Sequence, residues 1–179
     1  MVFDVDELVA DLKTAAGEPE PRLAVRDVLE RMVARGAEVE AALPATRAEL
    51  TALHDSPDLT VLKVVWAPGM SIQPHDHRMW AAIAIYGGQE DNAFYRREGR
   101  RAVPTGGKVL RAGEVTLLGD DVIHSVVNPL TTLTGAIHVY GGEFFSRPRS
   151  DWDPTTFEEL PEPVDSRTVF DEANRRLGL

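Results

Sequence analysis

The sequence predicts an all-β core, a sandwich or barrel, with α-helices before it and an extension after it. From residue 59 onward, short apolar, β-branched runs alternate with turn signals such as Pro68-Gly69 and Gly87-Gly88. These runs include LTVLKVVW (59–66), AAIAIY (81–86) and TGAIHVY (134–140). Strands this short and this regularly spaced are typical of sandwiches and barrels. Before residue 59, apolar residues recur at helical spacing instead.

Residues 1–57 are predicted to form a helical extension packed on the barrel. Asp4, with Glu7 three residues later, indicates an N-cap with its capping-box acid, and Pro21 is suited to the first turn of a second helix. The apolar stripes of the two helices are Val5, Leu8, Val9 and Leu12, then Val25, Val28, Leu29, Met32 and Val33. Neither helix can bury its stripe alone, so both are expected to pack against the core.

The barrel is predicted over residues 58–142, and residues 143–179 are predicted to be a wrapping tail that ends in a short helix, FDEANRRL (170–177). A chain of 179 residues suits one domain with terminal extensions. No repeat or low-complexity tract indicates a second domain. Exposed strands and the helical extension would permit a homodimer, but nothing in the sequence requires one.

Composition excludes several functions. The chain has no cysteine, so disulfides, thiolate metal ligands, iron–sulfur clusters and a cysteine nucleophile are ruled out. The net charge is −10 without a basic block, which argues against a nucleic-acid partner. No run is long and apolar enough to span a membrane, and the first residues lack the order of a signal peptide. The default expectation is a cytoplasmic protein that handles small molecules.

Three histidines are the candidate metal ligands. His75 and His77 lie two residues apart in a predicted strand and therefore face the same side, while Asp76 faces the other. His124 lies in a later predicted strand, and distant strands of a small barrel converge on one interior. Three imidazoles would leave other positions of a metal open to water, substrate or oxygen. Two histidines in one strand could equally form a polar face near a turn, with His124 a core residue.

The spacing around these histidines resembles the cupin motifs. Gly69-x5-His75-x-His77 is similar to the first half of the first motif, and Gly113-x5-Gly119-x-Asp121-x2-His124-x3-Asn128 to the second, with Gly and Asp where Pro and Gly are usual. The resemblance implies a cupin double-stranded β-helix, also called a jelly-roll barrel, with His75, His77 and His124 as metal ligands.

A departure from the general cupin pattern indicates which group of cupins this sequence resembles most. Most metal-binding cupins have a Glu four or five residues after the second His, where this chain has Ala81 and Ala82, and Glu90 and Asp91 lie beyond the Gly87-Gly88 turn. A three-His site without a carboxylate resembles the thiol dioxygenases, represented by cysteine dioxygenase. The stretches PHDHRMWAAIAIYGG (74–88) and EDN-x2-YRR (90–97) look like an uncharacterised bacterial branch of that family.

The thiol-dioxygenase resemblance implies Fe(II) as cofactor and a small-molecule thiol and O2 as substrates, with sulfinate as the product. His138 and Tyr140 resemble the His-x-Tyr pair near iron, with Tyr140 donating its O–H to bound oxygen or substrate and His138 orienting it. The family has a Ser two residues before that His, and this chain has Ala136. Imidazole also suits Zn(II), Ni(II) and Cu(II), so the ligands do not identify the metal; Zn(II), Ni(II) and Mn(II) are the alternative cofactors.

The residues that would bind substrate are less well defined. Arg78, Arg96 and Arg97 are candidates for holding a substrate carboxylate, since guanidinium binds carboxylates bidentately. Trp80 could border the pocket or pack in the core. Two other classes remain open: a hydrolase, lyase or isomerase using another metal, and a non-catalytic cupin that binds a metal or small ligand.

Overall fold

Two antiparallel sheets form the core of the protein, in a computed structural model that describes residues 3–178. The five-stranded sheet has the order β1-β2-β9-β4-β7 and the four-stranded sheet the order β3-β8-β5-β6. Their bounds are β1 Glu49–Asp55, β2 Thr60–Trp66, β3 Ser71–Asp76, β4 Ala81–Gly87, β5 Gln89–Glu98, β6 Arg101–Arg111, β7 Val115–Leu118, β8 Ile123–Val127 and β9 Thr134–Tyr140. From β2 to β9 the chain alternates between the two sheets, except within the β5–β6 hairpin. The predicted all-β core is therefore confirmed.

The inner faces of the two sheets share one apolar cluster. It combines Leu62, Val64 and Ile83 of the larger sheet with Ile72 and Val126 of the smaller sheet. The opposite face of the larger sheet is also buried, because helices cover it. Strand β2 is consequently buried at every position, which explains why its sequence is almost continuously apolar rather than alternating.

Three N-terminal helices, α1 (Val5–Ala16), α2 (Pro21–Val33) and α3 (Gly36–Ala42), cover the outer face of the larger sheet. The Asp4 carboxylate caps α1 by accepting the N–H groups of Asp6 and Glu7, as the sequence predicted. Leu12 and Leu29 are fully buried in the cluster that these helices share with Val61 and Val139. The apolar faces of the helices are thus buried against the outer face of the larger sheet.

The predicted extension of residues 1–57 is not helical throughout, because residues 49–55 form strand β1. Among the described residues the strand pairs with β2 alone, at the edge of the larger sheet. Its sequence, ELTALHD, has few β-branched residues and no clear alternation, and its exposure is mixed. Pairing with β2 therefore outweighs its weak local preference.

The C-terminal tail returns to the barrel along β3. Asp76 N–H donates to Ser150 O (3.1 Å), and Trp152 N–H donates to Pro74 O (2.8 Å). The final helix, α4 (Ser166–Leu177), begins four residues before the predicted one and packs Phe170 into the inner cluster. No helix within residues 3–178 has the length and apolar character needed to cross a membrane.

Candidate metal centre

The three candidate histidines meet at one end of the barrel interior. His75 of β3 and His124 of β8 are directly paired in the antiparallel register, and their rings lie 4.6 Å apart. His77 follows the end of β3, with its ring 4.9 Å from His75 and 5.0 Å from His124. Each histidine offers a nitrogen within 4.8 Å of those of the other two. The three-His group could therefore hold a metal ion.

Asp76 faces away from this group, in line with the alternation of side chains along a strand. Its carboxylate accepts the Ser150 N–H at 2.7 Å and lies beside Arg78 and Arg97. The interactions of Asp76 are thus with the tail and with two arginines on the outer side of β3.

Hydrogen bonds fix two of the three imidazole rings. His124 Nδ1 lies 2.7 Å from Asn92 Oδ1, and His75 Nδ1 lies 2.9 Å from Gln73 O. Both partners are acceptors, so each Nδ1 carries a proton and each Nε2 is left with its lone pair. The Nε2 atoms of His77 and His124 are 3.4 Å apart. Two nitrogens bound to one ion at about 2.1 Å would be about 3.0–3.4 Å apart, so this geometry fits a shared metal.

Burial keeps all three imidazoles neutral. It lowers the pKa of His75, and it lowers the pKa values of His77 and His124 far below the usual range, with repulsion from neighbouring histidines adding to the effect. A metal binds neutral imidazole, so the ligands need not lose protons when it arrives.

The places where a carboxylate ligand would be expected are occupied by buried alanines, Ala81 and Ala82. Glu90 is not among the group of possible ligands, but it is closer to the site than its position beyond the turn suggested. It is fully buried and hydrogen-bonds Trp66, Asn92 and His138. The sequence did not predict these hydrogen bonds, because a residue that follows the Gly87-Gly88 turn was expected to lie outside the core.

His138 and Tyr140 lie beside the histidine group on β9. The Tyr140 hydroxyl is 3.1 Å from His138 Nδ1, and the Tyr140 ring meets that of His77 edge-on at 4.9 Å. Both side chains are almost fully buried, and burial raises the pKa of Tyr140, so the phenol stays protonated. The structure therefore brings the predicted pair to the site.

A small cavity of about 30 Å³ is bordered by His138, Tyr140 and two of the three candidate ligands, His75 and His124. Its polar lining consists of His75, His124, His138, Tyr140, Arg149 and Ser166, and its apolar lining of Leu50, Val64, Trp66, Ile72, Val126, Phe144 and Phe170. A cavity of this size is close to the volume of one water molecule. The tail and α4 form one wall, so a larger ligand would require that wall to move.

Arg149 is the arginine that lines this cavity, and sequence reasoning did not select it. Its guanidinium lies 5.1 Å from the Phe144 ring, and Nη2 donates to Ser166 Oγ at 3.1 Å. Arg149 reaches the cavity because the following residues pair with β3, a contact between segments more than 70 residues apart. No local sequence signal reports such a contact.

The expected substrate residues lie elsewhere. Arg78 and Trp80 do not line the cavity, because Arg78 is held by Asp76 and Ser150 and the Trp80 ring packs against Gly141 on the helix-covered side. Arg97 binds Glu159 and stacks on Trp152, while Arg96 is exposed beside Glu98. All four residues are thus engaged on the outside of the barrel.

Comparison with known proteins agrees with the fold. No family model matches the chain. The structure of BH2720 from Bacillus halodurans is similar with a TM-score of 0.52 and 16% identity, over 62% of this chain and 80% of that one. A cupin family protein with a double-stranded β-helix fold from Methanocaldococcus jannaschii gives 0.47 and 12%, over 56% and 84%.

The chain spans about half the length of Peruvianin-I, a cysteine peptidase from Thevetia peruviana latex, with a TM-score of 0.41, 21% identity and coverage of 48% of this chain and 51% of that one. Identities this low bear on the fold alone. The two antiparallel sheets, between which the chain alternates, form a double-stranded β-helix, and the likeness to BH2720 agrees with this fold.

Proposed function

We propose that the protein is a non-haem Fe(II) dioxygenase that oxidises a small-molecule thiol to a sulfinate. The observation that supports this most is the ligand set: three neutral histidines, one partly buried and two buried, with no carboxylate among them, and Tyr140 in ring contact with one of the three. Three neutral ligands leave a divalent ion its full charge, which favours the addition of a thiolate. The substrates would be the thiol and O2.

His75, His77 and His124 would hold the iron, which when bound would supply open positions for a thiolate and O2. The overall reaction is R–SH + O2 → R–SO2H, in which sulfur is oxidised, O2 is reduced and both oxygen atoms end on sulfur. No other reductant is needed. Zn(II), Ni(II) and Mn(II) are the alternative metals, because imidazole nitrogen also binds them.

Arg149 would select the substrate class. It is the cationic side chain in the cavity wall, and guanidinium binds carboxylates with paired hydrogen bonds. A thiol that also carries a carboxylate would place its sulfur towards the histidines and its carboxylate towards Arg149. The small cavity favours a short connection between the two groups.

The test is anaerobic reconstitution with Fe(II), followed by measurement of thiol-dependent O2 uptake and of the sulfinate product. The thiol panel should include pairs that differ only in a carboxylate. The His124→Ala variant should lose both uptake and tightly bound iron, whereas His54→Ala, which changes a histidine on the edge strand β1, should keep both. Absence of uptake with every small thiol would refute the proposal.

A second candidate is a hydrolase, lyase or isomerase that uses Zn(II). Three histidines with an open fourth position are also the ligand set that lowers the pKa of a zinc-bound water towards neutrality. Metal analysis of the purified protein distinguishes the two candidates: full occupancy by zinc without iron would favour this second one. A cupin that only binds a metal or ligand would give neither O2 uptake nor turnover.

A further inference from the structure

We propose that Glu90 is a positioning residue that fixes the proton positions of His138 and His124, and thereby the direction of the Tyr140 hydroxyl. Such a role for an acid on β5 is not evident from the sequence, which places Glu90 after a turn. It goes beyond the proposed function, because it concerns where hydrogens lie in this chain whatever reaction the site performs.

Glu90 is the centre of a buried hydrogen-bond network. Its side chain is fully buried, and its Oε2 accepts from Trp66 Nε1 at 2.9 Å and lies 3.2 Å from His138 Nε2. Its Oε1 accepts from Asn92 Nδ2 at 2.9 Å. Burial raises the pKa of Glu90, but His138, Asn92 and Trp66 together outweigh burial and lower it overall. Glu90 is therefore an ionised carboxylate, which can only accept hydrogen bonds.

The first consequence concerns His138 and Tyr140. Since Glu90 only accepts, His138 Nε2, which faces it, must carry a proton, and when the ring carries a single proton Nδ1 is the acceptor. The Tyr140 hydroxyl, 3.1 Å from that Nδ1, then donates its hydrogen to His138. This hydrogen points to His138, and the oxygen lone pairs remain free. The sequence-based expectation that Tyr140 donates to a bound ligand would then require its hydroxyl to rotate first.

The second consequence concerns His124. Because the Asn92 amide nitrogen is used by Glu90, the amide oxygen must face His124 Nδ1, at 2.7 Å. An acceptor at this distance places the proton of His124 on Nδ1 and leaves Nε2 for a metal. The Glu90 carboxylate thus leaves His124 Nε2 free for a metal, through Asn92, and sets the direction of the Tyr140 hydroxyl, through His138.

The Glu90→Gln variant tests this role with little change in shape. A glutamine has one acceptor oxygen and one donor nitrogen, so it cannot serve donors on both sides. If its nitrogen faces His138, the proton of that ring moves to Nδ1. If its nitrogen faces Asn92, the Asn92 amide turns and the proton of His124 moves to Nε2. Asp91→Asn, one residue along the same strand and outside the network, is the matched control.

The readout is the tautomer of each histidine, determined by long-range ¹H–¹⁵N correlation in the full-length, metal-free protein. We expect protons on His138 Nε2 and His124 Nδ1 in the wild type and in Asp91→Asn, and a changed tautomer of at least one of them in Glu90→Gln. Affinity for Zn(II), measured by chelator competition, should fall about 10- to 100-fold if His124 changes. An unprotonated His138 Nε2 in the wild type would overturn the proposal even if the variant does not fold, as would unchanged tautomers in a folded Glu90→Gln. Failure to find thiol oxidation would leave this test unaffected.

Discussion

Replacing Asp76 with alanine should release the tail from β3. The Asp76 carboxylate accepts the Ser150 N–H at 2.7 Å, and its side chain is only 11% exposed. Hydrogen bonds to charged groups contribute about 1.5–3 kcal/mol, and alanine leaves the buried N–H without an acceptor. The contacts to Arg78 (3.4 Å) and Arg97 (3.8 Å) are long and involve half-exposed arginines, so they add little.

We therefore expect the tail to lose about 2–3 kcal/mol of local stability, which corresponds to a fall of about 30- to 150-fold in its closing equilibrium. The assay is amide hydrogen exchange of Ser150 and Trp152, both of which donate to the β3 segment or its side chain. Because Arg149 precedes Ser150, the KM for a carboxylate-bearing thiol should also rise if the proposed function is right.

The Asp76→Asn variant is the control, since its amide oxygen can still accept the Ser150 N–H while the charge is lost. Its tail should keep most of its protection from exchange. Two results would refute the reasoning: wild-type protection in Asp76→Ala, or equal loss in the alanine and asparagine variants. The second would mean that the charge near the arginines, and not the hydrogen bond, holds the tail.

Three further predictions concern the candidate metal ligands and the packing of the barrel. Asn92→Ala should weaken Zn(II) binding about 10- to 100-fold, measured by chelator competition, because the ring of His124 loses its acceptor; unchanged affinity would contradict this. The metal-free protein should lose stability as the pH falls below about 6.5, since His75, His77 and His124 have lowered pKa values and bind protons more readily when unfolded. The slope in urea unfolding should reach about 1.4 kcal/mol per pH unit for each histidine, and a flat profile between about pH 7 and 5 would count against burial of neutral rings. Gly135→Ala should destabilise the fold by about 3 kcal/mol, because a Cβ there would lie 2.4 Å from the Tyr86 ring; thermal unfolding measures it, and an unshifted midpoint would show that Tyr86 yields easily.

The strands and the three histidines could be predicted because the relevant signals are local. Side chains alternate along a strand, so the parity of His75, Asp76 and His77 follows from the sequence alone. The turn signals separate the strands, and the spacing of glycines and histidines resembles a known pair of motifs. The edge strand β1 was missed because its local pattern is weak and its pairing with β2 decides its structure.

Arg149 and Glu90 could not be predicted because non-local contacts place them. Arg149 depends on the bridge between the tail and β3. Glu90 follows a turn and is an acid, a residue type that is seldom fully buried. The buried carboxylate of Glu90 is stabilised because donors from β2, β5 and β9 surround it. The residues around Glu90 in the sequence do not indicate that these donors would meet there.

Ala136 shows how such a contact changes the interpretation of a motif. The missing hydroxyl two residues before His138 suggests a broken hydrogen-bond chain to Tyr140. In the structure, however, both nitrogens of His138 already have partners, Glu90 at Nε2 and Tyr140 at Nδ1. A serine at position 136, on the same face of β9, would find no free nitrogen on His138 and would bury a hydroxyl in the apolar cluster. The alanine is therefore consistent with an intact network in which the partner of His138 comes from β5 instead of its own strand.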